Sequence, residues 1–360
     1  MLVTASTVLD TPDNLRRFVA DNLASGVDHM VVFLDAPGAA GQAEARAHLE
    51  GHPHVTLVAC DRSWWHGDRP ERLNVRQRIN ANVALALFDG VEEVDWVVHV
   101  DGDEVVDVDP DALASVPAEA PALWLAPCEA VSTMHPVGRP TAFKHLLDDD
   151  DLHLLAVLGV IDQPTNQAFF HGHVLGKSGV RPGAGLRLTL HDPVTPDGDR
   201  PPPGARYEHP GLRVLHFDAV SGEDFVRKWR AMSAAGPVAL RPDRVPMVRA
   251  LRRLVQMDLP DEVASRYLAR IYEATTQDDV GVLEDLGLLL HVDPGAGRHR
   301  PEVLPPAAAD RVSARLDELR AAGKRSYHVN HRPAPGGADG PRTGPATDRP
   351  GLLRRRRDRS

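Results

Sequence analysis

The sequence predicts an α/β fold with a mainly parallel central sheet, followed by a helical C-terminal extension. Three observations lead there. Short apolar, β-branched runs alternate with segments of helical periodicity through the first 127 residues. The runs are apolar throughout rather than alternating, as strands covered by helices on both faces are. Helix start and stop signals fall between them.

Leu2 to Leu9 is the first strand, and Thr11-Pro12 follows as an N-cap with proline in the first helical turn. That helix carries Leu15, Phe18, Val19 and Leu23 on one face and stops at Gly26. His29 to Leu34 reads as a second buried strand ending at Asp35, before a Pro37-Gly38 turn. A short helix over 42–49, a strand over 54–59, a longer helix over 71–88 and strands over 95–100 and 122–126 complete this half. Between 150 and 217 the pattern changes to short strands at 173–175, 185–190 and 212–217, with a Pro-rich loop at 200–204. Helices are expected over 221–235, 246–257, 260–274, 277–290 and 307–322. The organisation expected is a main domain over 1–235, divided at 127/128, a helical extension over 236–326, and a disordered tail over 327–360.

Composition removes several functions. The 360 residues carry 41 Lys plus Arg against 51 Asp plus Glu, a net charge of −10, which argues against a general nucleic-acid binder. No run approaches about 20 apolar residues, and the first residues lack the basic and apolar regions of a secretory signal. Two cysteines, Cys60 and Cys128, are too few for a disulfide framework and fit a reducing cytoplasm. The charge is uneven: eight Arg against three Asp give residues 330–360 a net +5, leaving −15 on the rest. Arg354 to Arg357 is either a solvated end or a contact for anionic lipid at the inner membrane face.

Open parallel sheets bind ligands at the carboxyl ends of their strands. Here the fourth strand ends in Val100-Asp101-Gly102-Asp103-Glu104. Two carboxylates separated by a close-turning glycine can hold one hard divalent cation, Mg²⁺ or Mn²⁺, completed by phosphates and water. Such an ion neutralises charge on a diphosphate leaving group. The same residues are also ordinary turn formers; their place at a strand end favours the functional reading.

The stretch Asp95-Trp-Val-Val-His-Val-Asp-Gly-Asp-Glu104 resembles the W-hydrophobic-D-x-D-E motif of glycosyltransferases with the GT-A fold, closest to a bacterial family-2-like group. Matching segments follow in family order: Ala24 to Asp35, Gly176-Lys-Ser-Gly-Val-Arg-Pro182, and Val214-Leu-His-Phe-Asp218 with Glu223 to Lys228 after it. The resemblance covers roughly residues 1–235. It implies a GT-A, Rossmann-like sheet, a nucleoside-diphosphate sugar donor (UDP- or GDP-linked), and a glycan, lipid or small-molecule acceptor. It places Asp101 and Asp103 on the metal and pyrophosphate, with His216 completing the metal shell and His191 as competitor. Neutral imidazole suits Mn²⁺ better than Mg²⁺. The sequence departs from the family at the first turn, Asp10-Thr-Pro-Asp-Asn14, at Asn22, and at the second turn, Asp35-Ala-Pro-Gly38. These positions face the nucleotide in the family. Asp35 is expected to bond the base or ribose, with a plain strand-end Asp as the alternative, and Gln77 to lie on the nucleotide side.

Inverting transfer needs a carboxylate to take the acceptor hydroxyl's proton. Asp162, in Ile161-Asp-Gln-Pro-Thr-Asn166, is the candidate, with Asp192 and Asp218 as rivals; a retaining route stays open. Lys177 and Arg181 are expected to bind phosphate oxygens, or else to be a basic turn. Trp64 and Trp65 read as one core residue and one exposed stacking platform, and Arg72 and Arg76 as a solvated helix face. Asp148 to Asp151 reads as a solvated loop. The rival functions are a sugar-phosphate nucleotidyltransferase, disfavoured because Thr4 to Asp13 holds no glycine, and a non-catalytic binding or scaffold protein.

Overall fold

In the computed structural model, which describes residues 1–202, 204–234 and 245–329, the chain forms a ten-stranded mixed sheet flanked by helices, with a small two-stranded sheet beside it. The first half alternates as read: β1 (Leu2–Val8), α1 (Pro12–Ala24), β2 (His29–Leu34), α2 (Gln42–Leu49), β3 (Val55–Ala59), α3 (Leu73–Leu87) and β4 (Trp96–His99). These four strands lie parallel in the order β3-β2-β1-β4. Thr11 caps α1 through its side chain, which accepts the Asn14 N–H, and Pro12 opens the helix. Successive β1 side chains serve opposite cores: Val3 and Ala5 pack toward α3, Leu2 and Val8 toward α1. Burying one such side chain contributes about 1.5–3 kcal/mol.

Beyond β4 the sheet turns mostly antiparallel. The chain continues through β5 (Glu104–Val108), α4 (Pro110–Ala114), β6 (Ala122–Ala130), β7 (Ala142–His145), α5 (Asp149–Val157), α6 (Asn166–Phe169), β8 (Lys177–Val180), β9 (Arg187–Leu188), β10 (Pro193–Val194) and β11 (Arg206–His216). β8 lies between β4 and β6, antiparallel to both. β11 pairs antiparallel with β5 and parallel with β6. The helices α7 (Gly222–Ala234), α8 (Val245–Gln256), α9 (Asp261–Thr275) and α10 (Val280–Asp285), the strand β12 (Leu289–His291) and the helix α11 (Pro306–Ala321) follow.

Four local expectations change. The acidic run is not a loop: Asp148 caps α5 by accepting the Asp151 N–H, and acids in a first turn complement the helix dipole. The helix expected over 277–290 ends at Asp285, because Gly287 takes φ +69° and the chain then pairs as β12 against β7. The strand expected at 173–175 begins instead at Lys177. The tail begins later than residue 327, since Val329 is buried. The basic tail from 330 onward and the boundary at 235 lie outside the described residues.

Candidate functional site

The carboxyl end of β4 opens into a cavity of about 980 Å³, walled by the ends of β1 and β2, the start of α3, the 171–173 segment and the first C-terminal helices. Asp101 to Glu104 close a turn there, the Glu104 N–H donating to the Asp101 carbonyl at 3.1 Å. Gly102 passes close to Val8, whose Cγ1 would lie 3.3 Å from an added Cβ. The turn hands the chain to β5, and the antiparallel register of β5 with β11 sets His216 opposite Glu104. A residue more than a hundred positions away is thus brought to the acidic turn by strand pairing.

The three acids of the turn have different surroundings. Asp101 receives the Gln77 amide on Oδ1 at 2.5 Å and the Lys177 ammonium on Oδ2 at 2.6 Å. Lys177 also lies 3.0 Å from Glu104 Oε2 and is itself wholly buried. Burial opposes charge on Asp101, but Lys177 outweighs it and holds the carboxyl far below its ordinary value. Glu104, deeper, is pushed up by burial despite the same lysine. Asp103 is 43% exposed, and its Oδ2 lies 3.5 Å from His216 Nε2. Partial desolvation by the cavity walls works against ionisation there, yet His216 and Lys228 bring Asp103 down to about 2. His216 is raised above its ordinary value, the pull of Asp103 and of Glu104 and Glu129 overcoming burial. Asp103, His216 and Asp218 have ligand atoms within 4.8 Å of one another, as do Asp101, Glu104 and His173. Asp218 is paired with Lys228 from α7.

A histidine wall continues from this point. His173 stacks on His216 with centroids 5.5 Å apart and meets the edge of His191 at 4.2 Å. Burial lowers both His173, to about 3, and His191. The wall is anchored by a buried charge network. Glu129 lies 2.9 Å from Lys144 and accepts the N–H groups of His171 and Gly172. Asp278, beyond α9, binds Lys144 and His171 Nε2, each at 2.9 Å, and the Ser132 N–H at 2.7 Å. Two carboxylates about one ammonium stay ionised: burial raises both, but Lys144 and His171 prevail and lower them. Sequence reading missed this network; the paired histidines of His171-Gly-His173 were its one visible signal.

Of the residues singled out from sequence, Asp35, Gln77, Asp101, Asp103 and His216 border one cavity, together with His191 and Asp218. Asp35 is engaged by Arg76, Nε to Oδ1 and Nη2 to Oδ2 both at 2.6 Å, and by Arg69 at 3.1 Å. Arg76 is therefore a buried fork and not a solvated face. Lys177 reaches the site only through Asp101 and Glu104, because its ammonium is enclosed by them. Arg181 sits at the other end of β8, over the Trp96 ring at 4.0 Å and 3.6 Å from Asp95, away from the cavity. Asp162 is exposed in the loop after α5 and does not line the cavity. Asp192 pairs with Arg206 at 3.1 Å. Trp64 and Trp65 are both buried, which removes the exposed platform.

No protein-family model matches the chain, and no curated protein matches it. Among solved structures it is similar to the galactosyltransferase LgtC in complex with donor and acceptor sugar analogs, at 14% identity over 50% of this chain, with a TM-score of 0.25. The chain spans 58% of that structure's length. It is also similar to HddC from Yersinia pseudotuberculosis, at 9% identity over 63% of this chain and 96% of that one, with a TM-score of 0.30.

Proposed function

We propose that the chain is a metal-dependent glycosyltransferase that moves a sugar from a UDP- or GDP-linked donor to a glycan, lipid or small-molecule acceptor. The observation that carries this reading is the convergence of Asp103, His216 and Asp218 in the cavity at the carboxyl end of β4. Two carboxylates and an imidazole suit Mn²⁺, and Mg²⁺ less well. Such an ion supplies neutralisation of the charge that develops on the diphosphate as the glycosidic bond breaks. The chain's own residues do the rest. Lys177 and Gln77 fix the Asp101 carboxylate in one orientation, so that it meets the donor without reorganising. The Asp35–Arg76 fork holds the end of β2 rigid on the nucleotide side. Deprotonation of the acceptor in an inverting transfer falls to a group on the cavity wall other than the ion's ligands, which His191 is and Asp162 is not.

A non-catalytic binding or scaffold role is the second reading. One observation favours it: both oxygens of Asp35 are taken by arginines, which occupies a carboxylate that the family uses toward the nucleotide. Calorimetric titration of UDP, GDP and dTDP with and without Mn²⁺ tests the proposal. Binding of one nucleotide only with metal supports it, and hydrolysis of the matching nucleotide sugar then separates enzyme from scaffold. Absence of binding by all three sinks it.

A further inference from the structure

The DGDE turn faces two ways. Asp103 lies with His216 and Asp218, whereas Asp101, also on the cavity wall, and the deeper Glu104 close around Lys177. The delivery of that lysine is built into the sequence. Gly176 takes φ +66°, and a Cβ there would lie 2.3 Å from the Leu125 carbonyl oxygen. At Gly179 a Cβ would come within 2.9 Å of Leu123 Cδ1. The two glycines of Gly176-Lys-Ser-Gly179 thus let β8 enter between β4 and β6, with the Lys177 side chain directed under the turn. Its ammonium lies 2.6 Å from Asp101 Oδ2 and 3.0 Å from Glu104 Oε2, which is where a cation shared by the two carboxylates would sit.

We propose that Lys177 is a resident cation that permanently fills one of two cation positions of this turn, and confines a divalent ion to the other, held by Asp103, His216 and Asp218. The inference rests on the metal-dependent reading above and divides the roles of the two aspartates, which sequence alone treats as a pair. Behind Lys177 a ligand set already exists: Glu104 Oε1 has no hydrogen-bond partner among the described residues and lies 3.8 Å from His173 Nε2. Removing the ammonium would convert Asp101, Glu104 and His173 into a second ion site.

The test is a count of Mn²⁺ by calorimetry and by electron paramagnetic resonance on the full chain. Wild type binds one ion. Asp103→Asn weakens it more than 100-fold, while the isosteric Asp101→Asn weakens it less than 10-fold, because Asp101 serves Lys177 and not the ion. Lys177→Met binds two ions. Two ions in wild type, or equal losses from the two aspartate variants, overturn the division while leaving a metal-dependent site in place. A folded Lys177→Met that binds a single ion overturns the resident-cation role. No Mn²⁺ bound by wild type overturns this inference and the metal-dependent reading together. Should Lys177→Met not fold, the aspartate comparison decides alone.

Discussion

Gly172 is where a single added carbon should report on the whole site. The residue sits between the buried charge network and the histidine wall, and a Cβ built on it would lie 2.7 Å from Glu129 Oε2 and from His216 Cε1 and Nδ1. Neither neighbour can yield freely. Glu129 is held by Lys144 at 2.9 Å and by the His171 N–H at 2.7 Å; His216 is held in the β5–β11 register and toward Asp103. Overpacking of this kind costs about 1–3 kcal/mol. If Glu129 is displaced, loss of a hydrogen bond to a buried carboxylate adds about 1.5–3 kcal/mol. The lower entropy of an unfolded chain with alanine returns about 0.4–1 kcal/mol, since this glycine is not in the left-handed region. Gly172→Ala should therefore lose about 1 kcal/mol in urea denaturation if Glu129 keeps its place and about 3–4 kcal/mol if it is displaced, and bind Mn²⁺ at least tenfold more weakly. Gly323→Ala is the control: its added Cβ meets nothing within 4 Å, so the same arithmetic gives a gain of a few tenths of a kcal/mol, on the order of the unfolded-state term alone. A Gly172→Ala protein as stable as wild type and with undiminished ion affinity would refute the close approach of Gly172 to His216.

Other outcomes follow from buried groups away from the turn. His29 is lowered to about 4, chiefly by burial, with the neighbouring His54 and His52 adding to it and Asp28 opposing. Its folded value lies below the unfolded 6.5, so the unfolded state takes up the proton first and stability falls as pH drops from about 6.5 toward 4. Going from pH 7 to pH 5 should cost roughly 2 kcal/mol through this residue. His29→Gln should flatten that part of the urea-midpoint profile; an unchanged slope would rule out its share. Asp278→Ala leaves Lys144 paired with Glu129 but removes the charged acceptor of Lys144, His171 and the Ser132 N–H, and should destabilise by about 1.5–3 kcal/mol. A loss under about 1 kcal/mol in the same denaturation assay would mean that the C-terminal segment only rests against the cavity wall.

What was legible in the sequence follows the range of the interactions concerned. The β1-to-β4 half could be read because each element carries its own signal: Thr11-Pro12 caps a helix, Gly26 ends it, and apolar runs of four to seven residues can only be covered strands. The acidic turn could be read for the same reason, as local chemistry at the end of a local element. The second half could not. β5, at Glu104 to Val108, continues directly from the turn with no punctuation, and only its pairing with β11 makes it a strand. Lys177 and Arg181 looked alike as basic residues four apart, yet β8 runs antiparallel to β4 and carries them to opposite ends of the sheet. Burial then decides what each cation does, and burial is a property of the assembled sheet. The same holds for Asp35: its strand-end position was readable, whereas its capture by Arg76 depends on how α3 packs against β1 and β2. A motif thus locates the chemistry, but which of its charges face a ligand and which are spent on one another is settled by strand direction and by the few glycines that let strands approach. In this chain Gly176 and Gly179 settle it for Lys177, and Gly172 for His216.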